Sequence, residues 1–220
     1  MAIEKLKNVE AHQRYRTADG KIVPGVTTVL GILNKPALVP WANNLGLQGI
    51  SVKDYVDKLA KIGTLAHYFV ECDLRGDEPD LDSYSPEEIR IAETCLIKYW
   101  DWKAENNPEP IMIEGQLVSE KFGFGGTIDL YCEIGGVKWL VDLKTGKAIY
   151  PEQITQLSAY TALLKENGYK VDKVQILRIG RSEDEGFEPQ EKTLRQLVPH
   201  WKIFKSCLEI YQLQKEIRRD

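Results

Sequence analysis

Apolar and polar residues alternate most regularly in residues 125–145, on both sides of a Gly-Gly pair. Two glycines between runs rich in β-branched and aromatic residues are typical of a two-residue β-hairpin loop. If Gly135 and Gly136 form that loop, opposed residues have numbers that sum to 271. This register predicts that Asp129 and Asp142 lie directly opposite each other on neighbouring strands.

The same alternation divides the hairpin into two faces, because successive side chains of a strand point to opposite sides of the sheet. One face is an unbroken apolar set: Ile128, Leu130, Cys132, Ile134, Val137, Trp139, Val141 and Leu143. The other face carries Thr127, Asp129, Tyr131, Asp142 and Lys144. We therefore expect one buried apolar face and one face that presents two carboxylates beside a lysine.

The two opposed carboxylates repel each other, since their Cβ atoms would lie roughly 4.5–5.5 Å apart. A divalent cation with oxygen ligands offsets such repulsion, and Mg²⁺ commonly binds one or two carboxylates together with phosphate oxygens. In a second interpretation both aspartates are solvated on an exposed face, with Lys144 as a salt-bridge partner. A register slip of one residue would place the aspartates on opposite faces and remove the site.

The remaining chain predicts helices before this hairpin, and a helix, strands and a last helix after it. In chain order we predict a β-hairpin and helix over 12–30, two short helices over 36–60, a helix around 63–71, a helix over 86–105, a strand over 111–119, the central hairpin, a helix over 151–168, strands over 171–179 and 187–192, and a helix over 199–218. This order indicates an α/β fold with a mixed central β-sheet flanked by α-helices.

Length and composition fit one soluble domain of ordinary size, with 220 residues of which 43% are hydrophobic. We interpret residues 1–220 as a single domain, with a mainly helical part over 1–110, the sheet over 111–192 and a C-terminal helix over 193–220. No apolar run approaches the ~18 residues of a membrane span, and the first ten residues lack the apolar core of a signal peptide. We expect a cytoplasmic protein that does not bind membranes.

Charge and cysteine content narrow the possible partners. The formal net charge of −4 argues against tight non-specific binding to nucleic acid, although a local basic groove can exist on an acidic protein. The four cysteines lie far apart with no CxxC pair: Cys72, Cys95, Cys132 and Cys207. This spacing predicts free thiols rather than disulfides or a cysteine metal site.

Other polar residues are candidates for contact with phosphate or nucleic acid. Thr27 and Thr28 lie near the start of a predicted helix, whose N-terminus can bind a phosphate. Gln156 and Tyr160 are four residues apart and therefore adjacent on one helix face; the alternative is a glutamine at the border and a packed tyrosine. Arg178 lies at the end of a strand and is a further candidate phosphate contact.

Three segments resemble the PD-(D/E)XK nuclease superfamily: Gly126-Thr127-Ile128-Asp129, Asp142-Leu143-Lys144 and Gln156-Leu157-Ser158-Ala159-Tyr160. The closer resemblance is to the RecB-like and Cas4-like branch, which includes small phage exonucleases and the mitochondrial genome maintenance exonuclease. Gly63-Thr64 followed by His67 is similar to GTxxH, the first motif of that branch. The resemblance covers residues 22–180 and implies the nuclease type of α/β fold.

The resemblance also implies roles for individual residues. It implies Mg²⁺ or Mn²⁺ held by His67, Asp129, Asp142, the backbone carbonyl of Leu143 and Glu114. Lys144 would assist the attacking water, and Gln156 and Tyr160 would contact the DNA strand. Relatives with an iron–sulfur cluster hold it with three cysteines near the C-terminus, where this chain has only Cys207, so we expect no cluster.

These features together predict a metal-dependent DNA nuclease. The favoured form is an exonuclease that acts on single-stranded DNA or free ends, in recombination, repair or phage DNA processing. Two alternatives remain open: a structure-specific endonuclease, and a non-cleaving nucleic-acid-binding subunit of a helicase–nuclease complex. The expected partners are DNA and a helicase, a single-strand-binding protein or a recombination protein.

Overall fold

The structure is a computed structural model that describes residues 14–218. Two ranges lie outside the described part: residues 1–13 and residues 219–220. The first ten residues, which the sequence analysis considered as a signal peptide, are among them. The strands are β1 (Tyr15–Arg16), β2 (Ile22–Val23), β3 (Glu109–Ser119), β4 (Phe124–Ile134), β5 (Val137–Thr145), β6 (Lys173–Ile179) and β7 (Phe187–Lys192). The helices are α1 (Val26–Leu30), α2 (Leu38–Leu47), α3 (Val52–Arg75), α4 (Pro86–Asn106), α5 (Pro151–Glu166) and α6 (Leu194–Ile217).

The central sheet has five strands in the order β3-β4-β5-β6-β7. Only β5 and β6 run parallel, and α5 provides the crossover between them that a parallel pair requires. The other neighbouring strands are antiparallel. The predicted α/β fold with a mixed central sheet flanked by helices is therefore confirmed. A separate two-stranded sheet, β1-β2, lies beside the start of β4.

Both faces of the central sheet are covered, so the sheet forms the middle of three layers. On one face, buried residues of α3 and α4 pack against β4, β5 and β6. On the other face, α1, α5 and α6 pack against the same strands. Within residues 14–218, no helix is both long and apolar enough to cross a membrane.

The central hairpin has the predicted register. Five pairs, from Ile134–Val137 to Leu130–Val141, have residue numbers with the expected sum. The paired region stops there, one residue before Asp129 would meet Asp142. The predicted faces are largely observed but contain one error. Ile128 packs with the α1, α5 and α6 layer, whereas Leu130 packs with α3 and α4. The strand therefore changes face at Asp129.

Two helices differ from the prediction. Helix α3 is one continuous helix of 24 residues, where we predicted a short helix followed by another. Gly63 lies inside α3, and a Cβ there would be 2.9 Å from Thr145 Oγ1. This glycine allows α3 to pack closely against the end of β5. Helix α6 begins before Pro199, because Thr193 caps it with a capping box, so the proline lies inside the helix.

Candidate active site

The candidate active site forms where β4 and β5 stop pairing. The N–H of Leu143 donates to the Asp129 side chain, with 2.8 Å between N and Oδ2. A side chain thus replaces the backbone acceptor expected in a β-ladder. The Asp129 carboxylate is held against β5 and is 12% exposed. This fixed carboxylate is the first element of the site.

Asp142 and Lys144 follow on β5, two residues apart and on the same face of the strand. Lys144 Nζ lies 2.6 Å from Asp142 Oδ2 and donates to the Leu143 carbonyl at 3.1 Å. The Asp142 side chain is 1% exposed, which excludes the interpretation of solvated aspartates on an open sheet face. Apart from this ion pair, no donor among the residues that the structure describes reaches the Asp142 carboxylate.

His67 reaches this edge of the sheet from α3. Its Nδ1 atom is 3.8 Å from Asp129 Oδ2 and 3.9 Å from Glu114 Oε1. These distances exceed those of hydrogen bonds. Two atoms bound to one metal at about 2.0–2.3 Å each lie roughly 3–4 Å apart, which matches the observed spacing.

Glu114 enters the site through an unusual backbone conformation in β3. Its φ angle is +48°, a left-handed value that is rare for a residue with a side chain. The neighbouring residues Ile113 and Gly115 pair with Leu130 and Ile128 of β4, so Glu114 lies opposite Asp129. Such strain persists where the surrounding structure enforces it and is common at functional sites. Here the strain accompanies a carboxylate directed at His67.

The geometry fits a metal ion on two independent observations. His67, Glu114 and Asp129 each offer one ligand atom, and these atoms lie within 4.8 Å of one another. The second observation is the buried Asp142 carboxylate, whose partner among the described residues is the Lys144 ammonium at 2.6 Å. This one lysine charge is shared by three carboxylates, those of Asp142, Asp129 and Glu114, so a further cation would stabilise the cluster. Asp142 is not part of the three-residue group, so the site has a histidine side and a lysine side.

The pKa values describe a cluster with too much negative charge. Burial raises the pKa of Asp142 to about 6, and the charge of Asp129 adds to the increase while Lys144 opposes it. Burial also raises the pKa of Asp129, against the favourable charge of His67. Burial lowers the pKa of His67, but the carboxylates of Asp129 and Glu114 outweigh burial and raise it overall. Burial is the largest cause for both aspartates, and a bound cation would favour their charged forms against it.

Gln156 and Tyr160 form a buried pair on α5 next to the two aspartates. Gln156 Nε2 donates to the Tyr160 hydroxyl at 2.7 Å. Burial, followed by the charges of Asp142 and Asp129, raises the pKa of Tyr160 well above its ordinary value. Gly126 makes this placement possible, because a Cβ there would lie 2.6 Å from the Tyr160 ring. The sequence prediction placed this pair on a contact surface, and the structure places it in the wall of the site.

One residue near the site was missing from the sequence prediction. The Tyr15 hydroxyl is 2.9 Å from Thr127 Oγ1, two residues from Asp129 along β4. A Cβ at Gly125 would overlap the Tyr15 ring. The double glycine at 125–126 is the signal that was available: each glycine leaves room for a tyrosine, Tyr15 at the first and Tyr160 at the second.

The remaining predicted contacts lie apart from the cluster. Thr27 and Thr28 are exposed on α1, and within residues 14–218 no hydrogen bond or ion pair joins them to it. Arg178 is buried, and its Nη1 donates to the carbonyls of Gly146 and Glu185, at 3.1 and 2.6 Å. Its guanidinium thus holds two loops together. We therefore leave Arg178 out of the proposed phosphate contacts.

Comparisons with known proteins give only weak similarity. A scan against protein-family models and a search of curated proteins gave no match. A proposed exonuclease from Eubacterium rectale has 14% identity and a TM-score of 0.49, over 66% of this chain and 64% of that one. An alkaline exonuclease from Laribacter hongkongensis has 14% identity and a TM-score of 0.37, over 74% and 92%. The complex of that enzyme with dAMP gives the same TM-score of 0.37 at 15% identity. Functional conclusions for this chain therefore rest on its own side-chain geometry.

Proposed function

We propose that this protein is a divalent-metal-dependent nuclease that hydrolyses phosphodiester bonds of DNA. The observation that supports it most directly is the convergence of His67, Glu114 and Asp129, with Asp142 and Lys144 beside them, at one sheet edge. Oxygen-rich sites with one imidazole suit Mg²⁺ or Mn²⁺. Mn²⁺ binds a given nitrogen- and oxygen-containing site at the weak end of the transition-metal series, so its availability matters as much as its affinity.

The metal would be held by His67, Asp129 and Asp142, with Glu114 and the Leu143 carbonyl as further ligands. A divalent cation in such a site lowers the pKa of water and neutralises charge on the phosphate. Asp129 is kept in place by the Leu143 N–H, so its orientation does not depend on the cation. The Asp142 carboxylate is buried and already lies 2.6 Å from the Lys144 ammonium, so the metal would be its second positive partner.

Lys144 acts in this proposal as an ammonium ion. Burial lowers its pKa, but the carboxylates of Asp142 and Asp129 outweigh burial and raise the pKa overall. A protonated lysine donates hydrogen bonds and cannot accept a proton. Lys144 therefore orients the attacking water and stabilises the charge on the phosphate, while carboxylates accept the proton.

Tyr160 has the hydrogen-bonding state required of a phosphate donor. Its oxygen accepts from Gln156, which leaves its own proton available for donation. Its raised pKa keeps that proton in place throughout the physiological range. In this proposal Gln156 positions Tyr160, and Tyr160 donates to a phosphate oxygen of the bound strand.

We further propose exonuclease activity on single-stranded DNA or free ends. This preference rests on the resemblance of the His67 motif and the Gln156–Tyr160 pair to end-processing enzymes. The test is a time course on end-labelled linear and circular single-stranded DNA with Mg²⁺, Mn²⁺ or EDTA. We expect metal-dependent degradation of the linear substrate that EDTA abolishes. Equal rates on circular DNA would indicate an endonuclease, and no degradation with either metal would refute the nuclease proposal.

A further inference from the structure

A basic groove of about 830 Å³ lies at the surface between three segments that are distant in sequence. It is formed by the β1–β2 hairpin, the turn between β3 and β4, and the C-terminal part of α6. Its charged lining consists of four cations and two carboxylates: Arg16, Lys21, Lys121, Lys215, Glu120 and Glu216. This balance is positive by two charges, on a chain whose net charge is −4.

Two of the cations are available to a ligand. Lys21 and Lys215 are exposed, and neither has a carboxylate within ion-pair distance among residues 14–218. One of the two carboxylates is already used, because Glu120 Oε1 accepts the N–H of Ala18 at 2.8 Å. That bond ties the β1–β2 hairpin to the β3–β4 turn. The hydrogen bond leaves the charge of Glu120 unchanged, so the net charge of the groove lining stays at +2.

The groove is physically connected to the candidate active site by the β1–β2 hairpin. Gly125 N–H donates to the Pro24 carbonyl at 2.9 Å, which fixes the hairpin on the start of β4. Tyr15 points inward and contacts Thr127, and the next residue, Arg16, points to the groove. The β1–β2 hairpin thus contributes Tyr15 beside the candidate active site and Arg16 to the groove.

Strand β4 also determines the distance between the groove and the candidate active site. Gly123 lines the groove, and Asp129 lies six residues further along. At about 3.4 Å per residue this corresponds to roughly 20 Å. Stacked nucleotides rise about 3.4 Å each, so a stacked strand would cover this distance with about six nucleotides.

We propose that the basic groove binds backbone phosphates of the nucleic-acid strand that is cleaved, about six nucleotides from the scissile bond. This inference rests on the proposed nuclease function. The active-site cluster has excess negative charge and repels a polyanion in the absence of metal. Cations at a second place provide the sequence-independent attraction that the site itself lacks.

The test compares oligonucleotides shorter and longer than this distance. Binding of fluorescein-labelled strands of 5 and 20 nucleotides, single-stranded and duplex, is measured by anisotropy in the Lys144→Ala background, with and without Lys21→Ala and Lys215→Ala. We expect the double substitution to weaken binding of the 20-mer by about tenfold and to reduce the slope of log K against log [salt] by about 1.4 for single strands or about 1.8 for duplexes. Binding of the 5-mer should be unchanged.

The matched control removes two exposed lysines elsewhere, Lys58→Ala and Lys170→Ala, and should leave both affinities unchanged. A loss seen with single strands, duplexes or both supports the proposal and identifies the form held in the groove. Equal affinities for the 20-mer, or equal losses for both lengths, would overturn it. Because binding is measured without cleavage, absence of activity in the wild-type protein would refute the nuclease proposal and leave the result on the groove intact.

Discussion

Lys144 and Arg178 are register partners on the parallel strands β5 and β6, yet their surroundings differ completely. The Arg178 guanidinium donates to two loop carbonyls and pairs with Glu188 at 3.2 Å. Lys144 has one carbonyl and one carboxylate, in a cluster whose acids outnumber its cations. Two neighbouring cations, the buried Arg178 and the partly exposed Lys144, thus belong to one satisfied network and one unsatisfied network.

The comparison distinguishes a charged residue that stabilises the fold, Arg178, from one that is available for catalysis, Lys144. A buried polar network in which each member has a partner makes the local structure rigid. The Asp142 carboxylate is paired with Lys144, yet burial still raises its pKa to about 6, so its charged form is disfavoured until a ligand adds positive charge. Raised pKa values and a positive φ angle coincide in the cluster of Lys144, Asp142 and Glu114 and are a reason to search for function there. Arg178 shows that burial of charge alone is no such reason.

The largest predicted effect follows from removing the cation of the unsatisfied network. Lys144→Ala should reduce cleavage by about 10²–10³-fold, the range for loss of one donor that stabilises charge in the transition state. Mn²⁺ binding measured by calorimetry and far-ultraviolet circular dichroism should both persist. Lys138→Ala is the matched control, since Lys138 lies on the same strand and pairs with Glu133 at the surface. Full activity of Lys144→Ala would contradict the proposed role of Lys144 in cleavage.

The second prediction concerns pH. Metal binding requires the carboxylate form of Asp142, whose pKa in the metal-free protein is about 6. Protons therefore compete with Mn²⁺ below pH 6, and its dissociation constant should rise about tenfold between pH 7 and pH 5. Calorimetric titrations at pH 5, 6, 7 and 8 measure this. A constant affinity across that range would show that Asp142 does not bind the metal.

The third prediction concerns the stability of the metal-free protein. As the pH falls, the affinity for Mn²⁺ should decrease, whereas the free energy of unfolding of the metal-free protein should increase. The unfolded pKa of an aspartate is about 3.9, so the folded state, with Asp142 near 6, binds more protons between these values. The free energy of unfolding should therefore increase as the pH falls from about 6 towards 4. Urea titrations with EDTA present measure it. Saturating Mn²⁺ should remove this increase, because the metal then occupies the place of the proton.

The fourth prediction tests the satisfied network. Arg178→Ala leaves the carbonyls of Gly146 and Glu185 without their donor, and loss of a buried charged partner typically costs about 3–5 kcal/mol. We expect the free energy of unfolding to fall by about 2–4 kcal/mol, because Glu188 is half-exposed and can be hydrated. Cleavage per folded molecule should be unchanged. If Arg178 contacted a phosphate, activity would fall instead while stability changed little.

The comparison also shows what the sequence could predict. Gly135 and Gly136 determine the hairpin register, because a two-residue loop allows only one pairing, and the predicted pairs are observed. The order of helices and strands was sufficient for the mixed sheet. The proximity of Asp129, Asp142 and Lys144 followed from local spacing alone, although their roles as ligands stay a prediction.

Features that depend on distant segments were beyond local patterns. The role of Arg178 depends on two loop carbonyls, and these meet only in the folded chain. The change of face after Ile128 depends on the side chain of Asp129 taking a backbone position. The positive φ angle of Glu114 has no signal in the local sequence. Glycine identity gave a partial signal, since Gly125 and Gly126 indicate close packing without naming the partner.

The smallest predicted effect is that of Gly126→Ala, which tests whether the packing of Tyr160 affects cleavage. A Cβ at this position would lie 2.6 Å from the Tyr160 ring and 3.0 Å from Leu163, so the ring must shift. Overpacking of this kind costs about 1–3 kcal/mol, and Gly126→Ala should therefore lower the free energy of unfolding by about 1–2 kcal/mol.

The shift also moves the Tyr160 hydroxyl away from Gln156, so kcat/KM should fall about tenfold. The control is Gly46→Ala in helix α2, where a Cβ meets nothing within 4 Å and alanine should add up to about 1 kcal/mol of stability. Urea titrations and steady-state kinetics on both variants separate the two effects. A Gly126→Ala protein that is destabilised yet fully active would show that Tyr160 belongs with Arg178 among the packing residues, because its hydroxyl could then move without consequence for cleavage.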